Sequence, residues 1–173
     1  MEILAFVLST IGMICISVSP LLKGKNMKLI LLLAFSSNVL VATSYLLTGA
    51  FNGAATCYLG AAQTIINYFL ERKNKPIPSW LVAVYAAAFV VANILVFSHV
   101  TDMIALVAAI TFVFIISQKN GKQYRVWTII NTVLWVVYDL ITRSYGPLST
   151  HAILLMTSLV GMVMHDRKKI AAE

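Results

Sequence analysis

The side chains that could do chemistry in this sequence are mostly uncharged and lie inside apolar runs. Asn38, Gln63, Asn131 and Thr157 each fall near the middle of such a run. Polar groups at that depth normally face the interior of a helix bundle, because lipid tolerates them poorly. A ring of uncharged donors and acceptors suits a neutral, polar solute. The alternative is that these groups only hydrogen-bond to neighbouring helices.

Two further candidates lie in the sixth and seventh apolar runs: Trp135 and the pair Asp139 and His151. Trp135 shares a helix face with Asn131 and could stack on a ring of a solute, although an interfacial position is equally compatible with its depth. Asp139 and His151 are a candidate outer gate, whose strength would depend on pH because histidine titrates near neutrality. The spacing favours the alternative, an Asp139–Arg143 pair at the end of one helix.

The sequence offers little support for catalysis or for a metal site. It contains no GxSxG, HExxH or phosphate-binding glycine loop. His99, His151 and His165 lie at different depths, and Cys15 and Cys57 fall inside apolar runs. We therefore expect no enzymatic activity, no metal and no cofactor.

Composition points to a membrane protein. Of the 173 residues, 60% are hydrophobic and 11% are charged, too few charges to cover a water-facing surface. The net charge of +7 comes from short basic clusters between apolar runs, so nucleic acid is not an expected partner. A helix needs about 20 apolar residues to cross a bilayer. Seven segments are predicted to do so: Ile3–Leu22, Met27–Thr48, Phe51–Leu70, Ser79–Ser98, Thr101–Ser117, Arg125–Ile141 and Pro147–Met164.

Basic residues predict the orientation. Alternate loops and the C-terminal tail hold 12 of the 13 lysines and arginines, and Arg143 alone falls on the other side. The positive-inside bias makes the rich side cytoplasmic, with the N-terminus outside and the C-terminus in the cytoplasm.

The layout of the chain repeats at a spacing of about 94 residues. Lys25-Asn26-x-Lys28 matches Lys119-Asn120-x-Lys122, and Gln63 is equivalent to Thr157. Two three-helix units in the same orientation need one extra helix between them. We therefore predict an all-α, 3+1+3 architecture of parallel repeats, with residues 1–75 as the first unit, 76–98 as a linker helix and 99–173 as the second unit.

Two segments resemble a known family. LLTGAFNGAATCYLGAAQTIINYFLERK and RVWTIINTVLWVVYDLITRSYGPLSTHAILLMTSLVGMVMHDRK are similar to helix hairpins of the YgjV-type bacterial inner membrane proteins. The resemblance implies a multi-pass protein of the bacterial inner (plasma) membrane, related to the PQ-loop and SWEET-like (MtN3-like) superfamily. Ser19-Pro20 stands where that superfamily has Pro-Gln, with Leu21 in place of the glutamine.

The resemblance also implies a substrate site. SWEET-like proteins hold substrate-contacting polar residues at the level of Gln63 and Thr157. The predicted function is passive movement of a small, neutral, sugar-like solute, with the lipid bilayer as surroundings and homo-oligomers left open. The alternative is a non-transporting receptor or assembly protein with a packed axis.

Overall fold

A computed structural model describes residues 2–22, 26–47, 51–95, 97, 100–142 and 145–170. These residues form seven α-helices and one short 3₁₀ turn, with no β-strand among them. The bounds are α1 Glu2–Val18, the 3₁₀ turn Ser19–Leu21, α2 Met27–Leu47, α3 Phe51–Arg72, α4 Ser79–Leu95, α5 Asp102–Ser117, α6 Gly121–Thr142 and α7 Tyr145–Ile170. The all-helical class expected from the apolar runs is confirmed.

Several helix ends differ from the predicted segments, and two of these differences have a local cause. The first apolar run does not stay α-helical to Leu22, because Pro20 has no backbone N–H and the chain tightens into the 3₁₀ turn after Val18. The sixth helix begins at Gly121 rather than at Arg125. The Asn120 carboxamide oxygen accepts a bond from the Lys122 N–H, and this caps the earlier start.

Six of the helices form a closed ring. In this ring α1 contacts α2, α2 contacts α3, α3 contacts α5, α5 contacts α6, α6 contacts α7, and α7 contacts α1. Helix α4 lies outside the ring and packs chiefly on α5. Its Tyr85 and Phe89 form an apolar cluster there with Ala109 and Val113.

Polarity is inverted relative to a water-soluble bundle. Side chains buried in the interior include Gln63, Asn67, Asn131 and Asp139. The outer surfaces of the same helices are apolar, as at Phe69, Ile130, Val133, Val137 and Leu140. A soluble protein places few large apolar side chains at its surface in this way, so this distribution suits a lipid environment.

Three helical segments are long and apolar enough to cross a membrane by themselves, namely Ile3–Leu21, Met27–Leu47 and Leu148–His165. Helices α4 and α5 are apolar but have 17 and 16 residues. Helices α3 and α6 have 22 residues each. Their hydropathy is lowered by polar side chains that the bundle buries, such as Thr64 and Thr132.

Basic residues gather at one end of the ring, where α1, α3 and α5 finish. Lys119, after α5, donates to the Lys75 carbonyl at 2.9 Å and lies 3.8 Å from the Glu71 carboxylate. This is called the basic end below. Just inside it, apolar side chains of several helices fill the ring, among them Ile30, Leu31, Ile116 and Tyr124.

Candidate functional site

Gln63 and Asn131 lie deep in the bundle, with 1% and 6% of their surface exposed. The Gln63 Nε2 donates to the Val113 carbonyl at 3.3 Å and so joins α3 to α5. The Gln63 Oε1 is buried without a hydrogen-bond partner among the described residues. An unsatisfied buried acceptor costs about 1–3 kcal/mol, so this oxygen would gain from a donor.

Asn131 joins α6 to α5. Its Nδ2 donates to the Ala108 carbonyl at 2.6 Å and to the Thr111 hydroxyl at 2.7 Å. Asn131 also lines a cavity of about 40 Å³ between α1, α5, α6 and α7. Its carboxamide is therefore both a helix-to-helix contact and part of an interior wall.

Asn38 and Thr157 are half-buried and point to different neighbours. A Cβ added at Gly60 of α3 would lie 3.2 Å from the Asn38 Oδ1, so Asn38 of α2 packs against that helix. The Thr157 hydroxyl donates to the Leu154 carbonyl of its own helix at 3.1 Å. The four predicted solute contacts thus engage different neighbours, and among the described residues none of them bonds to another.

A second cluster lies at the end opposite the basic loops. His151 Nδ1 of α7 is 2.6 Å from Asp139 Oδ2 of α6, and the Asp139 side chain is 2% exposed. The Trp135 ring is stacked on the His151 ring, with centroids 5.6 Å apart and planes at 10°. Tyr138 stands edge-on to Trp135 and is hydrogen-bonded to Asp102 at the start of α5.

The structure therefore brings Asp139, His151 and Trp135 together, and the contact ties α6 to α7. One face of the half-buried Trp135 ring thus lies on the His151 ring. The alternative partner of Asp139, Arg143, lies outside the described residues. The cluster thus places a buried carboxylate, an imidazole and an indole in contact at this end of the ring.

The 3₁₀ turn at Pro20 forms a third cluster, at the basic end. The Leu22 carbonyl accepts a bond from the Arg125 guanidinium at 3.2 Å, and the Leu21 carbonyl is 2.8 Å from His165 Nε2. Gly161 of α7 lies against the turn, and a Cβ there would overlap the Pro20 carbonyl oxygen. Side chains from α6 and α7 therefore satisfy carbonyls that the broken end of α1 leaves open.

Sequence reasoning missed several of these contacts. Arg125, the first residue of the sixth predicted segment, was counted only as one of the basic residues that flank the apolar runs, whereas its side chain is 2% exposed. Sequence reasoning also passed over Asn67, whose Nδ2 donates to the Ile116 carbonyl at 3.0 Å and whose Oδ1 accepts from the Tyr85 hydroxyl at 3.2 Å. Asn67 lies one helical turn after Gln63, and that spacing was the available signal.

Among the described residues, no three histidine, cysteine, aspartate or glutamate side chains are grouped so that they could hold a metal ion. The ring with a polar interior and an apolar exterior instead defines a helical membrane protein. The family comparison agrees with this class. The chain belongs to the Imp-YgjV family of bacterial inner membrane proteins, whose family model matches residues 2–169.

No curated protein matched the chain, and no solved structure did.

Proposed function

We propose that this protein is a passive facilitator that lets a small, neutral, polar solute pass through the ring of helices. The observation that carries the proposal is the polar interior of a closed six-helix ring whose outer surface is apolar. Gln63, Asn131, Asn38 and Thr157 would contact the solute, and Trp135 would stack on it near the mouth. The unpartnered Gln63 Oε1 supports a role for that atom, since a solute hydroxyl would satisfy it.

The proposed architecture has seven membrane spans in a 3+1+3 arrangement, with units 1–75 and 99–173 joined by the helix within 76–98. The position of α4 outside the ring supports this division. So does a pair of contacts related by the spacing of 94. At this spacing Gly161 corresponds to Asn67, and Ile116 corresponds to Leu22. Asn67 of α3 bonds to the Ile116 carbonyl of α5. Gly161 of α7 lies against the turn that precedes Leu22.

The proposed orientation places the basic end in the cytoplasm and the N-terminus outside. The clustering of Lys75 and Lys119 at one end supports it, because positive residues are retained on the cytoplasmic side. The Asp139–His151 pair would then lie at the outer mouth and act as the gate. The relation of the family to the PQ-loop and SWEET-like proteins is part of the same proposal.

A second candidate function is a non-transporting receptor or assembly protein. It is favoured by the apolar side chains that fill the ring near the basic end. It is also favoured by hydroxyls that bond within their own helix, as Thr64 does to Gly60 and Ser158 to Leu154. In this candidate the same polar groups only hold helices together.

Binding and flux experiments separate the two. Purified protein would be screened for thermal stabilisation by sugars, nucleosides, vitamins and amino acids, since a ligand of the folded state raises its apparent stability. Stabilising compounds would then be tested for uptake into proteoliposomes. We expect Gln63→Ala and Asn131→Ala to abolish both effects while the protein stays folded.

The matched control is Asn93→Ala. Asn93 lies on α4, outside the ring, and donates to the Phe89 carbonyl of its own helix. It should bind and transport like the parent protein. Loss of uptake in this control, or uptake unaffected by Gln63→Ala and Asn131→Ala, would contradict the proposed path.

A further inference from the structure

The cavity beside Asn131 has a largely apolar wall to which three polar residues also contribute. Its volume is about 40 Å³, and a cavity needs about 10–15 Å³ to hold one water molecule. Apolar side chains such as Ile16, Phe112 and Leu154 make up much of the wall. The polar groups all come from one face of α6, at Tyr124, Thr128 and Asn131.

The hydroxyl protons at this wall are already used. The single proton of the Ser19 hydroxyl goes to the Ile16 carbonyl at 2.7 Å. The contact of 2.7 Å between Ser19 Oγ and Tyr124 Oη must then use the tyrosine proton. The Thr128 hydroxyl donates to the Tyr124 carbonyl at 2.7 Å. Neither Tyr124 nor Thr128 has a proton left for a guest in the cavity.

The amide nitrogen of Asn131 also has no proton left for a guest. Its nitrogen donates to the Ala108 carbonyl and to Thr111, whose own proton goes to Ala108 as well. The Asn131 Oδ1 accepts no hydrogen bond from the described residues. These hydrogen bonds leave only lone pairs on the Tyr124 and Thr128 hydroxyls and on Asn131 Oδ1, and lone pairs can only accept.

We propose that this cavity is a binding site for a small molecule that donates hydrogen bonds, either an ammonium-type cation or a neutral hydroxyl compound. A molecule that can only accept hydrogen bonds would find no donor in this cavity. It would lose its hydrogen bonds to water and gain none in return. In the proposed function, the solute would then be a molecule that donates hydrogen bonds. Transport of such a molecule rests on the proposed function, whereas its binding in the cavity does not.

The test compares small probes with their methylated counterparts, which lack donors. One arm uses ammonium chloride against tetramethylammonium chloride, and the other uses ethylene glycol against 1,2-dimethoxyethane. Thermal stabilisation of the purified protein is followed as a function of probe concentration. We expect stabilisation by ammonium or by ethylene glycol and none beyond the general solvent effect by the methylated probes. The arm that responds identifies the guest as cationic or neutral.

The variant for this test is Thr128→Val, which keeps the shape and removes the oxygen. It should weaken the apparent affinity about tenfold, the effect of one hydrogen bond lost from a buried group. The matched control is Thr132→Val on the same helix. Thr132 is fully buried, bonds to the Thr128 carbonyl and is not part of the cavity wall. Its affinity should be that of the parent protein.

Equal stabilisation by the donor probes and the methylated probes would overturn the inference, as would equal affinities in Thr128→Val and Thr132→Val. If Thr128→Val fails to fold, Tyr124→Phe takes its place in the comparison, because it removes another oxygen from the same wall. Failure of uptake in proteoliposomes bears on the facilitator function alone, because the binding measurement requires no flux.

Discussion

His151 Nδ1 and Asp139 Oδ2 lie 2.6 Å apart and join α6 to α7 at the end of the ring opposite the basic loops. The carboxylate is almost fully buried, whereas the imidazole keeps 20% of its side-chain surface exposed. Asp139→Ala and His151→Ala should each lower the free energy of unfolding by about 1–3 kcal/mol, because each change removes one side of this contact.

The double variant tests whether this contact itself is the cause. If it is, the losses in the two single variants will not add, and a double-mutant cycle from thermal unfolding in detergent will show a coupling energy of about 0.6–2 kcal/mol. Additive losses would mean that Asp139 and His151 stabilise the protein through other neighbours.

Gly161 should tolerate no larger residue. A Cβ at this position would overlap the backbone carbonyl oxygen of Pro20, which cannot rotate away as a side chain could. Gly161→Ala is expected to cost at least about 1–3 kcal/mol, the usual cost of overpacking, or to prevent folding. Retention of a folded peak in fluorescence-detected size-exclusion chromatography and the melting temperature report the effect.

The comparison for this change is Gly60→Ala. A Cβ at Gly60 would meet side-chain atoms of Asn38 and Phe112 at 3.2 and 3.3 Å, and these can move by a few tenths of an ångström. Gly60→Ala should therefore be much milder. Equal effects of the two substitutions would show that the turn at Pro20 can shift to make room.

Asn67 links three helices, so its removal should be felt across the interface between α3, α4 and α5. Asn67→Leu loses the bond to Ile116 and the bond from Tyr85, while Tyr85→Phe loses only the second. We expect losses of about 1–3 kcal/mol and about 0.6–1.7 kcal/mol respectively, measured by thermal unfolding. Asn93→Leu, at a position bonded within its own helix, is the control and should stay close to the parent protein.

Accessibility of single cysteines tests the proposed orientation. After replacement of Cys15 and Cys57 by alanine, cysteine would be introduced at Val100, which is 85% exposed, or at the exposed Lys73. A membrane-impermeant maleimide should label Val100→Cys in intact cells and Lys73→Cys only after permeabilisation. The reverse pattern would invert the topology, and labelling of both in intact cells would contradict the alternation of the helices.

The helices could be predicted from the sequence because apolar runs and basic punctuation mark them directly. The second apolar segment, for example, was expected at Met27–Thr48 and the helix occupies Met27–Leu47. The end of α1 could not be placed, since Pro20 is compatible with a late kink or with a 3₁₀ turn. The burial of Arg125 could not be predicted, because the sequence does not distinguish an exposed basic side chain at a helix end from one that reaches a buried carbonyl.

The candidate site was predicted in part. Depth along a helix identified Gln63 and Asn131 as interior, since both interrupt long apolar runs. Partners across the bundle could not be predicted, because they depend on how α3 and α6 are rotated against α5. For the same reason the contact of the Trp135 ring with His151, across α6 and α7, could not be predicted.

The position of α4 suggests where the chain can be divided into two fragments. The ring itself is made of the other six helices, and α4 packs on α3 and α5 from outside. Two separately translated fragments, one ending after α4 and one beginning at α5, should find each other in the membrane and reconstitute the ring. In the proposed 3+1+3 arrangement, α4 is the one span that does not belong to either three-helix unit.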